Sequence, residues 1–316
     1  MTAAQNNTKG ILFILIGMIV FSIQDALIKF IYEDTALYEL YLGRTLSAAF
    51  FLFCYMKFTK QKVNFKTHYP LLTTIRIICF FFGFSFFYIS LTYMSLAMAN
   101  ALFFSSPFFV SILAVIFLNE KVGIRRWLAI SAGFIGVFIV LNPDFNEFDY
   151  KKLAPIACAL FYSISMTITK YTSDKDNSYT QMMHLYFGAT IISILFFIFT
   201  GDGQFNTSSD PTFQFIFREW FINPTYAWPI IILMGFIGAL AFFCVFNAYS
   251  IASPSVVSLY EYSLIIWSII IGYILFDNIP TLRTFVGVSI IIGAGIYIYL
   301  REKAKDQMIV TDTPNR

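Results

Sequence analysis

Charged side chains are scarce in this chain. Among 316 residues there are 21 Lys and Arg and 18 Asp and Glu, or 12% charged, against roughly 25% in soluble domains. Too few charged groups remain to cover a water-facing surface, which excludes a globular enzyme carried on a single anchor. Histidine is scarcer still. His68 and His184 are the only two, which argues against a histidine-rich metal centre. The four cysteines, Cys54, Cys79, Cys158 and Cys244, each fall inside an apolar run with no CxxC spacing, the pattern of small buried hydrophobes. The sequence also lacks an HExxH helix, a nucleophile elbow and a phosphate-binding glycine loop, so no enzyme chemistry, cofactor or metal is expected. A channel would carry a repeated filter or a ring of charge, and neither is found.

Apolar sequence is abundant: 58% of residues are hydrophobic and 20% aromatic. A membrane-spanning helix needs roughly 20 mostly apolar residues. Ten stretches qualify: 10–31, 36–56, 70–93, 96–118, 124–141, 153–171, 179–200, 228–249, 254–276 and 282–300. The first follows a short polar N-terminus without a small-residue cleavage site, so it reads as a retained helix. The longest loop is 201–227. Its segment from Thr212 to Ile222 is too short to span and reads as interfacial. Basic residues set orientation, because cytoplasmic loops retain Lys and Arg. With the N-terminus inside, fourteen basic residues fall on inner segments, among them Lys57, Lys121, Arg126 and Lys175. Only Lys151, Lys152 and Arg218 fall outside. The fold expected is an all-α membrane protein with ten transmembrane helices and both termini in the cytoplasm.

The chain also contains one module twice. Phe21 to Phe30 aligns without a gap on Tyr162 to Tyr171. Residues 35–45 align on 180–190, Phe86-Phe87 on Phe242-Phe243, and Leu118-Asn119-Glu120 on Phe276-Asp277-Asn278. Five helices is an odd number, so the second copy enters from the opposite side. The expected organisation is two inverted five-helix repeats, at 10–141 and 153–300, followed by a cytoplasmic tail at 301–316. Duplicated membrane units of this kind are the usual construction of secondary transporters, with the substrate site where the repeats meet.

Three stretches carry a resemblance to a known family. They are Phe21-Ser22-x-x-Asp25-Ala26-x-x-Lys29 followed by Arg44; Tyr93-x-x-Leu96-Ala97-x-Ala99-x-Ala101 leading to Pro107; and Leu118-Asn119-Glu120-Lys121-Val122-Gly123 followed by Arg125-Arg126-Trp127 and Asn142-Pro143. These resemble the EamA-type group of the drug/metabolite transporter superfamily over nearly the whole chain. The second half departs from the pattern at Asn278, where a glutamate would stand. The resemblance implies a bacterial inner (plasma) membrane protein whose helices 1–4 and 6–9 line the transport path. It is similar to members that take up riboflavin or S-adenosylmethionine, and export of amino acids or related metabolites is the alternative. The partners implied are a small-molecule substrate and the lipid bilayer, with no nucleic acid. A coupling proton and a homodimer are left open.

Ionisable groups inside a spanning helix are costly and normally face a cavity or a partner. Four stand out: Asp25, Arg44, Arg76 and Glu261. At about 1.5 Å of rise per residue, Asp25 and Arg44 lie at similar depth towards the outside, and Arg76 and Glu261 towards the inside. Two opposite-charge pairs are therefore allowed, Asp25 with Arg44 and Arg76 with Glu261, acting in substrate binding or gating. The alternatives are structural ion pairs or, for Arg76, snorkelling. Asn100, Tyr162 and Tyr260 offer hydrogen bonds from predicted cavity helices. His184, the repeat counterpart of Glu39, is a further polar candidate for substrate binding or gating, with a helix-end polar residue as the alternative. Lys29, one turn after Asp25, reads as an intrahelical partner of Asp25 or as a snorkelling residue.

Overall fold

A computed structural model describes residues 3–31, 34–61, 65–94, 96–141, 153–276 and 281–311, and among them every regular element is helical. The first half holds α1 (Ala3–Ile31), α2 (Leu37–Phe58), α3 (Pro70–Ser90), α4 (Leu96–Phe103), α5 (Ser106–Leu118) and α6 (Ile124–Leu141). The second half holds α7 (Leu153–Thr172), α8 (Ser178–Thr200), the short α9 (Pro211–Phe217) and α10 (Pro224–Ile251). It continues through α11 (Pro254–Val257), a 3-10 turn (Ser258–Tyr262), α12 (Ser263–Phe276) and α13 (Leu282–Thr311).

Local chemistry explains many of the ends. Proline opens α3, α9, α10 and α11 at Pro70, Pro211, Pro224 and Pro254, where its missing N–H has no intrahelical partner to lose. The Asn177 side chain caps α8 by accepting from the Thr180 N–H at 2.8 Å, and Asp210 caps α9 by accepting from Thr212 at 2.8 Å. Asn119 closes α5 in the left-handed region at φ 53°, which asparagine tolerates better than most residues.

Two predicted helices are broken. Segment 96–118 divides into α4 and α5 at Phe104 and Ser105, because Pro107 has no N–H to give the carbonyl one turn earlier. Segment 254–276 divides into α11, the 3-10 turn and α12. In the other direction, α13 continues past 300 to Thr311, so the first part of the expected tail is helical. Among the described residues, six stretches are long and apolar enough to cross a membrane: Asn6–Ile28, Pro70–Ser90, Leu153–Thr172, Ser178–Thr200, Pro224–Ile251 and Pro254–Ile271. Ser106–Leu118 and Leu282–Tyr297 are apolar but shorter. Large side chains such as Phe50, Ile198 and Ile274 are exposed on the outside of the bundle, as expected where lipid is the solvent.

The packing follows the duplication. α1 lies on α10, and its counterpart α7 lies on α3. α2 packs on α10, and α8 on α3. α5 packs on α7, and α12 on α1. α2 meets α8, and α6 meets α13. Exchanging the two halves leaves this set of pairs unchanged. At the centre, the hydroxyls of Thr45 and Thr190, which are repeat counterparts, lie 2.9 Å apart. Tyr38 stacks on Phe196 at 3.8 Å. A step back along α2 is therefore a step forward along α8, so these equivalent helices run antiparallel.

Close helix approach depends on glycine at two places. A Cβ on Gly235 of α10 would overlap Ser47 and lie 2.7 Å from the Arg44 carbonyl on α2. One on Gly136 of α6 would lie 2.8 Å from the Gly287 carbonyl on α13. In a membrane, such contacts supply packing that the hydrophobic effect does not. A Cβ on Gly293 of α13, by contrast, would meet nothing within 4 Å among the described residues. Gly235→Leu is therefore predicted to destabilise the bundle by at least the ~1–3 kcal/mol typical of overpacking. In fluorescence-detected size exclusion its monodisperse peak should be lost, while Gly293→Ala should match the parent.

Candidate functional site

Four of the eight residues singled out from the sequence line one narrow central cavity: Asp25 from α1, Asn100 from α4, Tyr162 from α7 and Glu261 from the 3-10 turn. Phe84 and Phe87 of α3 form one wall, and Phe103 and Phe104 form another at the α4–α5 break. Both halves contribute, and both helix breaks reach the cavity. Phe103 and Glu261 are counterparts in the repeat alignment, so the two copies interrupt their fourth helix at corresponding places. Interrupted helices are how membrane bundles bring backbone and polar groups to a buried site.

The two carboxylates are held differently. Glu261 is 2% exposed and accepts three hydrogen bonds, from Tyr162 Oη at 2.7 Å, Tyr249 Oη at 2.6 Å and Ser106 Oγ at 3.3 Å. Hydroxyl donors of this kind offset the desolvation of a buried acid. Asp25 is 8% exposed, and no described residue donates a hydrogen bond to it or pairs with it. The Asn100 amide, 2% exposed, likewise has no hydrogen bond among the described residues.

Neither allowed ion pair forms among the described residues. Arg44 is buried beside the cavity wall, where Nη1 donates to Tyr88 Oη and the guanidinium lies 5.6 Å from the centre of the Phe242 ring. Its charge acts on Asp25 through space, without an ion-pair contact. Arg76 does not meet Glu261 at all. α3 packs on α7 and α8, so the Arg76 side chain enters that seam and donates from Nη1 to Gln181 Oε1 at 2.6 Å and to Thr172 Oγ1 at 3.4 Å. Its Nε and Nη2 are buried without a hydrogen-bond partner among the described residues.

Tyr260 also points elsewhere, donating to the Gly295 carbonyl of α13 at 2.9 Å. His184 contacts the carbonyl of Phe65 through Nε2 at 2.8 Å. Its repeat counterpart Glu39 makes the matching contact, accepting from the Phe221 N–H at 3.2 Å and from Trp228 Nε1 at 2.9 Å. Each therefore docks the loop before the third helix of the other copy, away from the cavity. Asn278 and the side chain of Lys29 lie outside the described residues. Sequence reasoning missed Tyr249, Ser106 and the phenylalanine walls. Only the pairing of Phe103 with Glu261 in the repeat pointed towards the walls.

Polar clamps join the two halves at the end that carries the basic loops. Asp176, between α7 and α8, accepts from Thr67 Oγ1 and from the His68 N–H at 3.1 Å, and its carboxylate lies 3.0 Å from His68 Nδ1. Glu120 pairs with Arg126 at 2.9 Å and accepts from Ser253 and Ser255. Burial acts to raise the Asp176 carboxyl, but the hydrogen bonds from Thr67 and His68 outweigh it and hold it below the usual carboxylate range. A depressed value means stability that is present above about pH 4 and lost as pH falls through the native value. Asp176→Asn is therefore predicted to lower the melting temperature at pH 7. The gap from the parent should close below about pH 4, which melts at both pH values check.

Comparison with known proteins agrees with this geometry. The EamA-like transporter family matches residues 8–142 and again residues 152–300. The S-adenosylmethionine uptake transporter of Rickettsia prowazekii is 25% identical over 95% of this chain and 96% of its own length. The riboflavin transporter of Vibrio cholerae is 28% identical over 66% of this chain and 63% of its own. The pseudopaline exporter CntI of Pseudomonas aeruginosa is 19% identical over 93% and 97%. A crystal structure superposes with a TM-score of 0.73 over 96% of this chain and 99% of the other at 12% identity, a likeness of fold. With a family match over both halves and several helices able to span, the chain is a multi-pass integral membrane protein that belongs to the EamA-like transporter family.

Proposed function

We propose that the protein is a secondary transporter that moves a small organic metabolite across the inner (plasma) membrane by alternating access. The observation that carries this reading is the meeting of Asp25, Asn100, Tyr162 and Glu261 in one cavity between the two halves. A membrane site with buried, unneutralised polar groups is costly unless a solute uses it. The ten helices form two inverted five-helix repeats at 10–141 and 153–300, with both termini inside. The antiparallel run of α2 and α8 supports the inversion, and the placement of Lys57, Lys121, Arg126 and Lys175 supports the orientation. The clamps at Asp176 and Glu120 then lie at the inner mouth and close it. Opening that mouth would break them together.

Uptake of an S-adenosylmethionine-like or riboflavin-like solute is the leading assignment, following the relatives bearing those names. Export is the second reading, favoured by the relative named as a pseudopaline exporter. Asp25 and Glu261 also offer places for a coupling proton.

Two measurements test the proposal. Proteoliposomes holding the purified protein should show saturable, gradient-driven flux of a metabolite. Asp25→Asn and Glu261→Gln should each reduce it to the protein-free background while the proteins still insert. Normal flux by both variants would overturn the assigned site. For topology, in a Cys54→Ser background, a cysteine replacing Ser209 should react with an impermeant maleimide on intact cells. One replacing Lys121 should react only after the membrane is opened, and the reverse pattern would overturn the orientation.

A further inference from the structure

We propose that the cavity selects an organic cation carried on an aromatic or bulky apolar body, with Asp25 as the residue that meets the cation. This rests on reading the cavity as the transport site and names the chemistry of what enters it. Both ionisable groups lining it, Asp25 and Glu261, are acids, and no described lining residue is basic. The walls are largely aromatic: Phe84, Phe87, Phe103 and Phe104. The faces of such rings carry negative potential and attract cations, most strongly when water is excluded.

The acids are not equivalent. Glu261 already accepts from Tyr162, Tyr249 and Ser106, so its lone pairs are largely occupied within the protein. Asp25 has no such donor among the described residues, although it is buried. Arg44 does not relieve it by contact, since that guanidinium is turned to Tyr88 and Phe242. The Asn100 amide is a second, separate polar group turned into the same space, 2% exposed and without a hydrogen bond among the described residues. The pocket therefore offers an acid and an amide without hydrogen-bond partners among the described residues, set between aromatic walls. That set fits an ammonium or sulfonium attached to a ring. A solute carboxylate would face two acids and find no basic side chain among the described lining residues.

The test uses matched probes on purified full-length protein. S-adenosylmethionine and S-adenosylhomocysteine differ by one methyl and the sulfonium charge. Tyramine and 3-(4-hydroxyphenyl)propionate share a ring and differ in the sign of the charge. Affinities are read from ligand-dependent thermal shifts, which follow mass action. The cationic member of each pair should bind at least about tenfold tighter, the effect of roughly one added charge contact. In Asp25→Asn the ratio should fall towards one, while Asp25→Glu should retain it. Equal binding within both wild-type pairs would overturn the proposal, as would no stabilisation by either cation or an unchanged ratio in Asp25→Asn. The wild-type ratios decide the charge preference even if a variant does not fold. Failure of the transport reading looks different: cations would bind selectively with no flux in liposomes. Flux of a neutral metabolite with no charge preference in binding would keep that reading and discard this one.

Discussion

The carboxylate of Asp25 is enclosed by an apolar bundle and receives no hydrogen bond or ion pair from any described residue. A bare charge in such a place is among the most expensive groups a membrane protein can carry. The architecture around it makes sense as a way to hold that group in place. α1 is fixed by its long contact with α10, and Arg44 steadies the region electrostatically from behind the wall without filling the acid's coordination. Aromatic rings line the space that Asp25 faces.

The scaffold is close to symmetric and the site is not. Helix pairs exchange cleanly between the halves, Thr45 meets its own counterpart Thr190, and Glu39 and His184 dock equivalent loops at Phe221 and Phe65. In the repeat alignment Asp25 stands against Met166, Glu261 against Phe103, and Arg44 against Ala189. On the proposed alternating-access reading, such symmetry would let the two halves exchange packing roles. Asymmetry puts one acid in each half of the cavity, and each is managed in its own way. The clamps at Asp176 and Glu120 tie opposite halves together at one end.

Much of the fold was legible in the sequence because lipid imposes a simple rule on helix length and loop charge. The helix order, the duplication and a short segment within the long loop, seen as the helix Pro211–Phe217, all follow from hydropathy, spacing and alignment. The breaks at Phe104 and at Ser258–Tyr262 do not, because an apolar run reads the same whether its helix is continuous or interrupted. Of the candidate residues, Asp25, Asn100, Tyr162 and Glu261 line one cavity. Arg44, Arg76, His184 and Tyr260 do not, because depth along a helix says nothing about which neighbour its side chain meets. Arg76 was matched to Glu261 by depth but lies against Gln181. The aromatic walls were hidden by number, since five phenylalanines, Phe21 among them, cannot be picked from 39 without the fold.

The central claim is that solute binds between Asp25 and Glu261. The most direct test is an experimental structure of the protein bound to a solute it transports. The account predicts ligand density in the central cavity, with a polar atom of the solute within hydrogen-bond distance of Asp25 and the aromatic rings around its apolar part. Density only in the separate concavity beside Glu120 and Arg126, with the central cavity empty, would contradict it.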